Sequence, residues 1–90
     1  LTFKTFDEVI ERANDNDLGL CSYLYTNSMD KAHIGSEKLE SGCVAVNTGV
    51  VAIAEAPFGG IKQTGYGREG GSGAIKDYLN VKYTHMGLKI

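Results

Sequence analysis

The chain has 90 residues, a net charge of −2 and a hydrophobic fraction of 42%, which are values typical of one small globular domain. The absence of a basic cluster argues against nucleic acid as a partner. No apolar run approaches the ~20 residues that span a bilayer, so we expect no membrane association and a cytoplasmic location. Two cysteines without a surrounding His/Cys cluster predict no metal site.

The start of the chain suggests an incomplete protein. Leu1 is not a methionine, and Leu1–Lys4 has the pattern of an extended strand. A chain of this length buries only ~60% of its unfolded surface when it folds. We therefore expect a piece of a longer polypeptide, whose other parts complete the core.

A helix is predicted directly after this segment. Thr5 and Glu8 form a capping box, and Glu8 and Arg12 can pair four residues apart. Its apolar face consists of Phe6, Val9, Ile10 and Ala13. The polar run Asn14–Asp17 ends the helix; because it lacks the spaced ligands and final Glu of an EF-hand, we interpret it as a solvated turn.

A strand and a second helix follow. Leu20–Thr26 carries apolar groups on both faces, which is typical of a strand covered on both sides. Asn27 or Ser28 caps a helix that runs to about Glu40, with Gly42 as the positive-φ residue after its end. The small inward face of this helix consists of Ala32, Gly35, Ser36 and Leu39.

The order of these elements predicts an α/β fold. Cys43–Asn47 reads as another apolar strand, and together with Leu1–Lys4 and Leu20–Thr26 it completes a βαβαβ run. Such a run implies a parallel sheet with right-handed crossovers. The loop Thr48–Glu55 then leaves the carboxyl end of a strand, where open α/β sheets bind ligands.

The stretch Ala56–Gly71 contains the only proline and six of the twelve glycines. These glycines indicate either positive φ or close approach of the backbone to a neighbour. Phe58, Ile61 and Tyr66 stand between them as anchors, whereas a flexible linker would be padded with Ser. We interpret the stretch as a shaped wall, on which Phe58 either lines a pocket or packs in the core.

The last predicted elements are a third helix and a strand. Ser72 is the expected cap of the helix, and its shared face consists of Ile75, Tyr78 and Leu79. Val81–Met86 alternates like a strand but has no hairpin partner in the sequence. Because long unpaired strands are normally covered, we expect a partner strand from elsewhere.

Three features that suggest chemistry are interpreted as structural. Gly65–Gly70 spells G-x-G-x-x-G, but it lacks the preceding strand and the acidic ribose ligand of a dinucleotide fingerprint. Cys21 and Cys43 lie in predicted buried strands, where cysteine behaves as a small hydrophobe. Arg68 and Glu69 are expected to form a local salt bridge rather than to clamp an anion.

Long parts of the chain resemble a known family. The segments C-V-A-V-N-T-G, P-F-G-G-I-K-Q-T-G-Y-G-R-E-G-G and G-A-I-K-D-Y-L-N-V-K-Y resemble the C-terminal end of an aldehyde dehydrogenase. The likeness extends to F-D-E-V-I-E-R-A-N-D, L-G-L, Y-L-Y-T and L-E-S-G, and so covers nearly the whole chain. It is closest to the succinate-semialdehyde dehydrogenase branch.

The resemblance implies an NAD(P)-dependent oxidation of an aldehyde to a carboxylic acid. In such enzymes a cysteine thiolate attacks the aldehyde, hydride passes to the nicotinamide, and a glutamate-activated water hydrolyses the thioester. The resemblance places these catalytic groups and the NAD or NADP site upstream of Leu1, so we expect no catalytic residue in this chain and no activity from it alone. Residues 1–80 would be the last part of the parallel-sheet catalytic domain, and residues 81–90 an oligomerisation strand and tail in a homodimer or homotetramer.

The resemblance also implies a set of substrate contacts. Asn47 matches the asparagine that begins the substrate loop, Phe58 matches an aromatic of the tunnel wall, and Ala52 and Ile53 lie in the loop between them. In succinate-semialdehyde dehydrogenases a serine five residues before the proline helps to bind the substrate carboxylate, and Ala52 stands at that position. Succinate semialdehyde is therefore the first expected substrate and another small or medium aldehyde the second, with a non-catalytic α/β interaction fragment as the alternative from another class.

Overall fold

A computed structural model describes residues 1–89. Its elements are α1 (Phe6–Asn14), β1 (Leu18–Gly19), β2 (Cys21–Leu24), α2 (Met29–Lys38), β3 (Cys43–Val46), β4 (Ile61–Lys62) and a 3-10 helix (Ala74–Tyr78). β2 and β3 pair in parallel and are connected through α2, whereas β1 and β4 pair antiparallel. The predicted α/β class is confirmed, but the parallel sheet has two strands in the described residues, not three.

The third strand was predicted at Leu1–Lys4, and this prediction is wrong. This segment closes the first turn of α1 instead. The Lys4 amide donates to the Glu8 carboxylate at 2.9 Å, and the Thr2 carbonyl accepts from Arg12 Nη1 at 2.9 Å. Its polar groups are thus engaged by α1, so the segment does not extend the sheet.

α1 forms as predicted, with one change at its cap. Thr5 Oγ1 accepts from the Glu8 amide at 3.2 Å, but the Glu8 carboxylate accepts from Lys4 rather than from Thr5. That bond from the Lys4 amide lowers the pKa of Glu8. The predicted pair of Glu8 with Arg12 is present at 3.2 Å. Ala13 was expected on the inward face but is exposed.

α2 begins where predicted and packs through a glycine. Ser28 Oγ accepts from the Lys31 amide at 3.3 Å, which confirms the cap. Gly35 is buried, and a Cβ there would meet Leu24 Cδ2 at 2.6 Å, so the glycine lets α2 approach β2 closely. Ser36 was expected to face inward but is exposed, with its hydroxyl bonded to the carbonyl one turn back.

α2 ends close to the predicted position, but the reason predicted for its end is wrong. The helix stops at Leu39, whose backbone is extended (φ −70, ψ 122), and Gly42 does not have positive φ. Gly42 instead lies against another part of the chain: its amide donates to Gly19 at 2.9 Å, and a Cβ there would overlap the carbonyl oxygen of Gly59. Close approach, not backbone conformation, requires this glycine.

Lys62 joins the ends of both helices to β4. Its Nζ donates to the carbonyls of Asn14 at 3.0 Å and Asn16 at 3.3 Å, and it forms an ion pair with Glu40 at 2.8 Å. A cation at the C-terminus of α1 complements the helix dipole. The Asn14 side chain in turn donates to Lys38 and accepts from the amide of Glu40, both at 2.8 Å. This cluster ties Lys62, within the glycine-rich stretch, to the ends of α1 and α2.

The end of the chain differs from the prediction. Ala74–Tyr78 is a 3-10 helix that begins after Gly73 without a side-chain cap, so Ser72 does not cap it. Val81–Met86 forms no strand, because the described residues offer it no partner. Tyr83 is 83% exposed, and the described chain is 75 Å long in its longest direction. A partner strand from elsewhere stays a prediction.

The core of the described residues is small. Its buried hydrophobic side chains are Ile10 in α1 and Ala45 in β3. Large apolar side chains such as Phe3, Tyr23 and Tyr25 remain more than half exposed, at 55%, 52% and 66%. No helix among residues 1–89 has the length and apolar character needed to cross a membrane.

Candidate functional site

The candidate site is formed by Phe58–Gly71, which we call the glycine wall. Phe58 and Glu69 pair in antiparallel fashion, and each amide donates to the other residue's carbonyl at 2.7 Å. The chain between them folds back on itself, so the wall has two arms. Its second arm contains four glycines with positive φ, at positions 65, 67, 70 and 71.

The other two glycines of the wall are required for space rather than for φ. A Cβ on Gly59 would lie 2.5 Å from the carbonyl oxygen of Gly67, and one on Gly60 would overlap the side chain of Thr64. Both reasons predicted for the glycines are therefore confirmed, and at Gly70 they coincide, since its φ is positive and a Cβ there would lie 2.8 Å from the Ala56 carbonyl oxygen. Together they make a wall in which backbone packs directly on backbone.

Arg68 holds the two arms together. Its Nη1 donates to the carbonyls of Gly60 and Gly67, both at 2.8 Å, while its amide donates to the Asp77 carboxylate at 2.9 Å. The predicted salt bridge between Arg68 and Glu69 is wrong, because the guanidinium is turned to the carbonyls of the wall instead. Arg68 therefore acts as a strut between the two arms.

A cavity of about 250 Å³ lies against the wall, slightly smaller than most ligand pockets. Phe58 is half-buried and lines it, as do Arg68 and Asp77. The remaining lining residues are Leu20, Gly59, Gly60, Thr64, Tyr66, Gly67, Glu69 and Tyr78. Of the two interpretations of Phe58, the geometry favours the pocket. The contributions of Arg68 and Asp77 were missed, since their contact spans nine positions and no local pattern marks it.

The G-x-G-x-x-G run within the wall does not fit a dinucleotide. The Arg68 amide, which a phosphate oxygen would need, is bonded to the Asp77 carboxylate, and a negative group there repels an anion. A Cβ on Gly67 would also lie 3.0 Å from that carboxylate. These contacts support the interpretation of the run as structural.

Asn47 lies away from the cavity and serves the end of the sheet. Its Oδ1 accepts from the Thr26 amide at 2.8 Å and its Nδ2 donates to the Thr26 carbonyl at 3.0 Å. Its backbone is left-handed, at φ 57. The side-chain amide thus adds one pair of hydrogen bonds beyond the parallel ladder. A substrate contact for Asn47 stays a prediction, but both ends of its amide already have partners.

We expect Asn47→Ala in the full-length protein to lower the free energy of unfolding by about 2 kcal/mol. Two hydrogen bonds are lost, and Ala is strained at positive φ. Asn47→Gly removes the same bonds without the strain, so it should cost less. Chemical denaturation of both variants measures the difference. Equal losses of unfolding free energy in the two variants would show that the strain of alanine at positive φ contributes nothing. An unchanged free energy of unfolding would favour a substrate role for Asn47.

Ala52 and Ile53 are exposed and directly precede a turn at Ala54 and Glu55, beside the second arm of the wall. Ile53 is 54% exposed, and its carbonyl accepts from the Ala56 amide at 3.3 Å. The next carbonyl, that of Ala54, accepts from the Gly71 amide at 2.8 Å. The turn is therefore bonded to the wall, but neither residue lines the cavity that Phe58 lines. The four predicted substrate contacts do not converge within residues 1–89.

Cys21 and Cys43 lie side by side, as register partners on β2 and β3. Both are half-buried and unbridged. Burial raises the pKa of Cys21, with a further contribution from Cys43, so little thiolate forms at neutral pH. Cys21 thus lacks the activation of a catalytic nucleophile. Among the described residues no three His, Cys, Asp or Glu side chains meet in a metal-binding group.

Comparison with known proteins assigns the family. The profile of the Aldehyde dehydrogenase family matches residues 1–84. The chain belongs to the aldehyde dehydrogenase family. This aldehyde dehydrogenase chain is 48% identical over 85 residues to 3-sulfolactaldehyde dehydrogenase from Pseudomonas putida, a match that covers 94% of the chain and 18% of the relative.

One further relative and one solved structure support the same family assignment. The aldehyde dehydrogenase chain is 45% identical over 86 residues to the NADP(+) succinate-semialdehyde dehydrogenase of Escherichia coli (strain K12), covering 96% of the chain and 18% of the relative. It superimposes on the NAD+ complex of an aldehyde dehydrogenase from Bacillus cereus with a TM-score of 0.86 at 44% identity, over 91% of the chain and 17% of that structure. The chain therefore spans less than a fifth of the proteins it matches.

Proposed function

We propose that the chain is the C-terminal segment of an NAD(P)-dependent aldehyde dehydrogenase, in which the glycine wall forms one side of the aldehyde tunnel. The observation that carries the proposal is Phe58 on a rigid wall beside a cavity of about 250 Å³. Arg68 fixes this wall through two carbonyls. NAD or NADP supplies the hydride acceptor and is bound by another part of the full-length protein, since the described residues do not fit it.

We propose succinate semialdehyde as the first substrate and another small or medium aldehyde as the second. The two curated relatives are named for succinate semialdehyde and for 3-sulfolactaldehyde. Both aldehydes carry an anionic group remote from the reacting carbonyl. This shared chemistry supports a substrate with a distal negative charge, and it leaves the choice between a carboxylate and a sulfonate to experiment.

Ala52→Ser tests the position of the specificity loop. In the full-length enzyme the added hydroxyl donates to the substrate carboxylate, and a bond of ~1.5 kcal/mol corresponds to about tenfold in kcat/KM. Because the carboxylate is remote from the reacting carbon, we expect the gain mainly in KM. The measurement compares succinate semialdehyde with an uncharged aldehyde of the same length, by formation of NADH or NADPH.

The uncharged aldehyde is the control, and its kcat/KM should not change. An equal gain on both aldehydes would show that residue 52 does not face the distal end of the substrate. Failure of the unmodified full-length protein to reduce NAD or NADP with either aldehyde would contradict the proposed activity itself. These two outcomes separate an error about the loop from an error about the enzyme.

We also propose that Val81–Met86 joins a sheet of another subunit in a homodimer or homotetramer. The support is the exposure of the alternating apolar side chains, with Val81 at 102% and Tyr83 at 83%. Unpaired apolar strands of this kind are normally covered. Sedimentation of the full-length protein gives the size of the assembly.

A further inference from the structure

We propose that Cys21 and Cys43 form a dithiol pair that hydrogen peroxide closes into an intrachain disulfide beneath the glycine wall. The pair is a modification site separate from the proposed substrate contacts. It does not depend on which aldehyde the enzyme oxidises. Neither cysteine is proposed as the catalytic nucleophile.

The register of β2 and β3 brings the two thiols together. Cys21 and Cys43 are direct Cα partners in the parallel ladder, so their side chains leave the same face of the sheet. Neighbouring strands lie ~4.8 Å apart, and disulfides join Cα atoms that are ~4.4 to 6.8 Å apart. The Cα separation set by the sheet therefore lies within the range that a disulfide spans.

Within residues 1–89 the pair is also open to a small oxidant. Both cysteines are half-buried rather than enclosed, and Cys21 lines an open groove of about 410 Å³ together with Gly19, Leu20 and Ser41. Burial and the neighbouring Cys43 both raise the pKa of Cys21. Because that pKa is raised, closure requires a pH at which the thiolate forms.

Closure proceeds in two balanced steps. One thiolate attacks an oxygen of hydrogen peroxide, the O–O bond breaks, and the departing hydroxide takes up the released proton, which leaves a sulfenic acid and water. The second sulfur attacks the sulfenic sulfur, the S–O bond breaks, and the thiol proton leaves with hydroxide as water. Two thiols are oxidised, one peroxide is reduced, and one disulfide and two waters form.

Closure has a defined consequence for the glycine wall. In the reduced protein, Cys43 Sγ donates to the carbonyl of Gly59 at 3.7 Å. The disulfide has no S–H, so this donor is lost and Cys43 is drawn toward Cys21. The oxidation state of the two cysteines thereby affects the contact with Gly59, a residue that lines the cavity.

The test uses the full-length protein, reduced and then treated with hydrogen peroxide at a pH of about 8.5, the ordinary pKa of a cysteine thiol. Remaining thiols are blocked with N-ethylmaleimide before denaturation, and the protein is digested with trypsin. Cleavage at lysine and arginine places Cys21 in peptide 13–31 and Cys43 in peptide 39–62. We expect these two peptides linked, and separated again by reduction.

Two variants make the result specific. Cys21→Ser should abolish the linked species. Cys43→Ser combined with Val44→Cys moves the second thiol to the opposite face of β3, so it should also abolish the link. If wild-type cysteines carry only maleimide or sulfonic acid, the proposal is overturned. It is equally overturned if the double variant links as well as the wild type, since the link would then come from unfolded chains.

Discussion

Replacing Gly42 by Ala in the full-length protein is expected to lower the free energy of unfolding by about 3 kcal/mol. The added methyl group would overlap the carbonyl oxygen of Gly59, which belongs to the backbone and cannot rotate away. β3 begins one residue later, and the Gly42 amide is bonded to Gly19 at 2.9 Å, so the chain has little room to shift. Calorimetry should show a fall of several degrees in the midpoint of thermal unfolding.

Gly49→Ala is the matched control for this substitution. A Cβ at Gly49 would meet no atom within 4 Å, and its φ is not positive. We therefore expect a change within about 0.5 kcal/mol. If Gly42→Ala were as stable as Gly49→Ala, the close contact between Gly42 and the glycine wall would be wrong, and the wall would sit farther from β3.

Gly59→Val should lower kcat/KM by about a hundredfold in the full-length enzyme. Its Cβ would lie 2.5 Å from the Gly67 carbonyl and 2.7 Å from Arg68 Cδ, so the two arms of the wall must separate. A displacement of ~1 Å in a positioning element can cost about a hundredfold in rate. The loss should exceed that of Cys21→Ala, measured in parallel with the same aldehyde.

The comparison with Cys21→Ala also checks the assignment of the nucleophile. Cys21→Ala removes a half-buried thiol of β2 without touching the wall, so turnover should persist. If this variant were folded but inactive, a catalytic cysteine would lie within this chain. If Gly59→Val were fully active, the wall would not line the path of the substrate. Circular dichroism of each variant separates loss of fold from loss of chemistry.

Local patterns allowed the starts of α1 and α2 to be predicted. The capping residues Thr5 and Ser28 act within three positions of their partners, and α1, which follows Thr5, has an apolar period that is visible in the sequence. The end of α1 at Asn14 was predicted for the same reason. Interactions this short depend on neighbours in the chain, so one sequence suffices to find them.

Contacts between distant parts of the chain were not predictable in this way. Gly42 was assigned to a helix end, although its role is to pass close to Gly59. Lys62 reaches Asn14 across 48 positions, and Asn47 reaches Thr26 across 21. Arg68 was paired with its neighbour Glu69, yet it bonds the carbonyl of Gly60 on the opposite arm. In each case the residue type indicated a polar or glycine requirement, but only the fold identifies the partner.

The small core has a consequence for exchanging this segment among relatives. Ile10 and Ala45 are the buried hydrophobic side chains of residues 1–89, whereas Phe3, Tyr23 and Tyr25 present apolar surface outward. Protein interiors are packed as tightly as crystals, so the surface that covers these side chains in one homologue matches their shapes. A chimera that carries this segment into a different homologue should therefore need compensating substitutions along the junction, even where the glycine wall is identical.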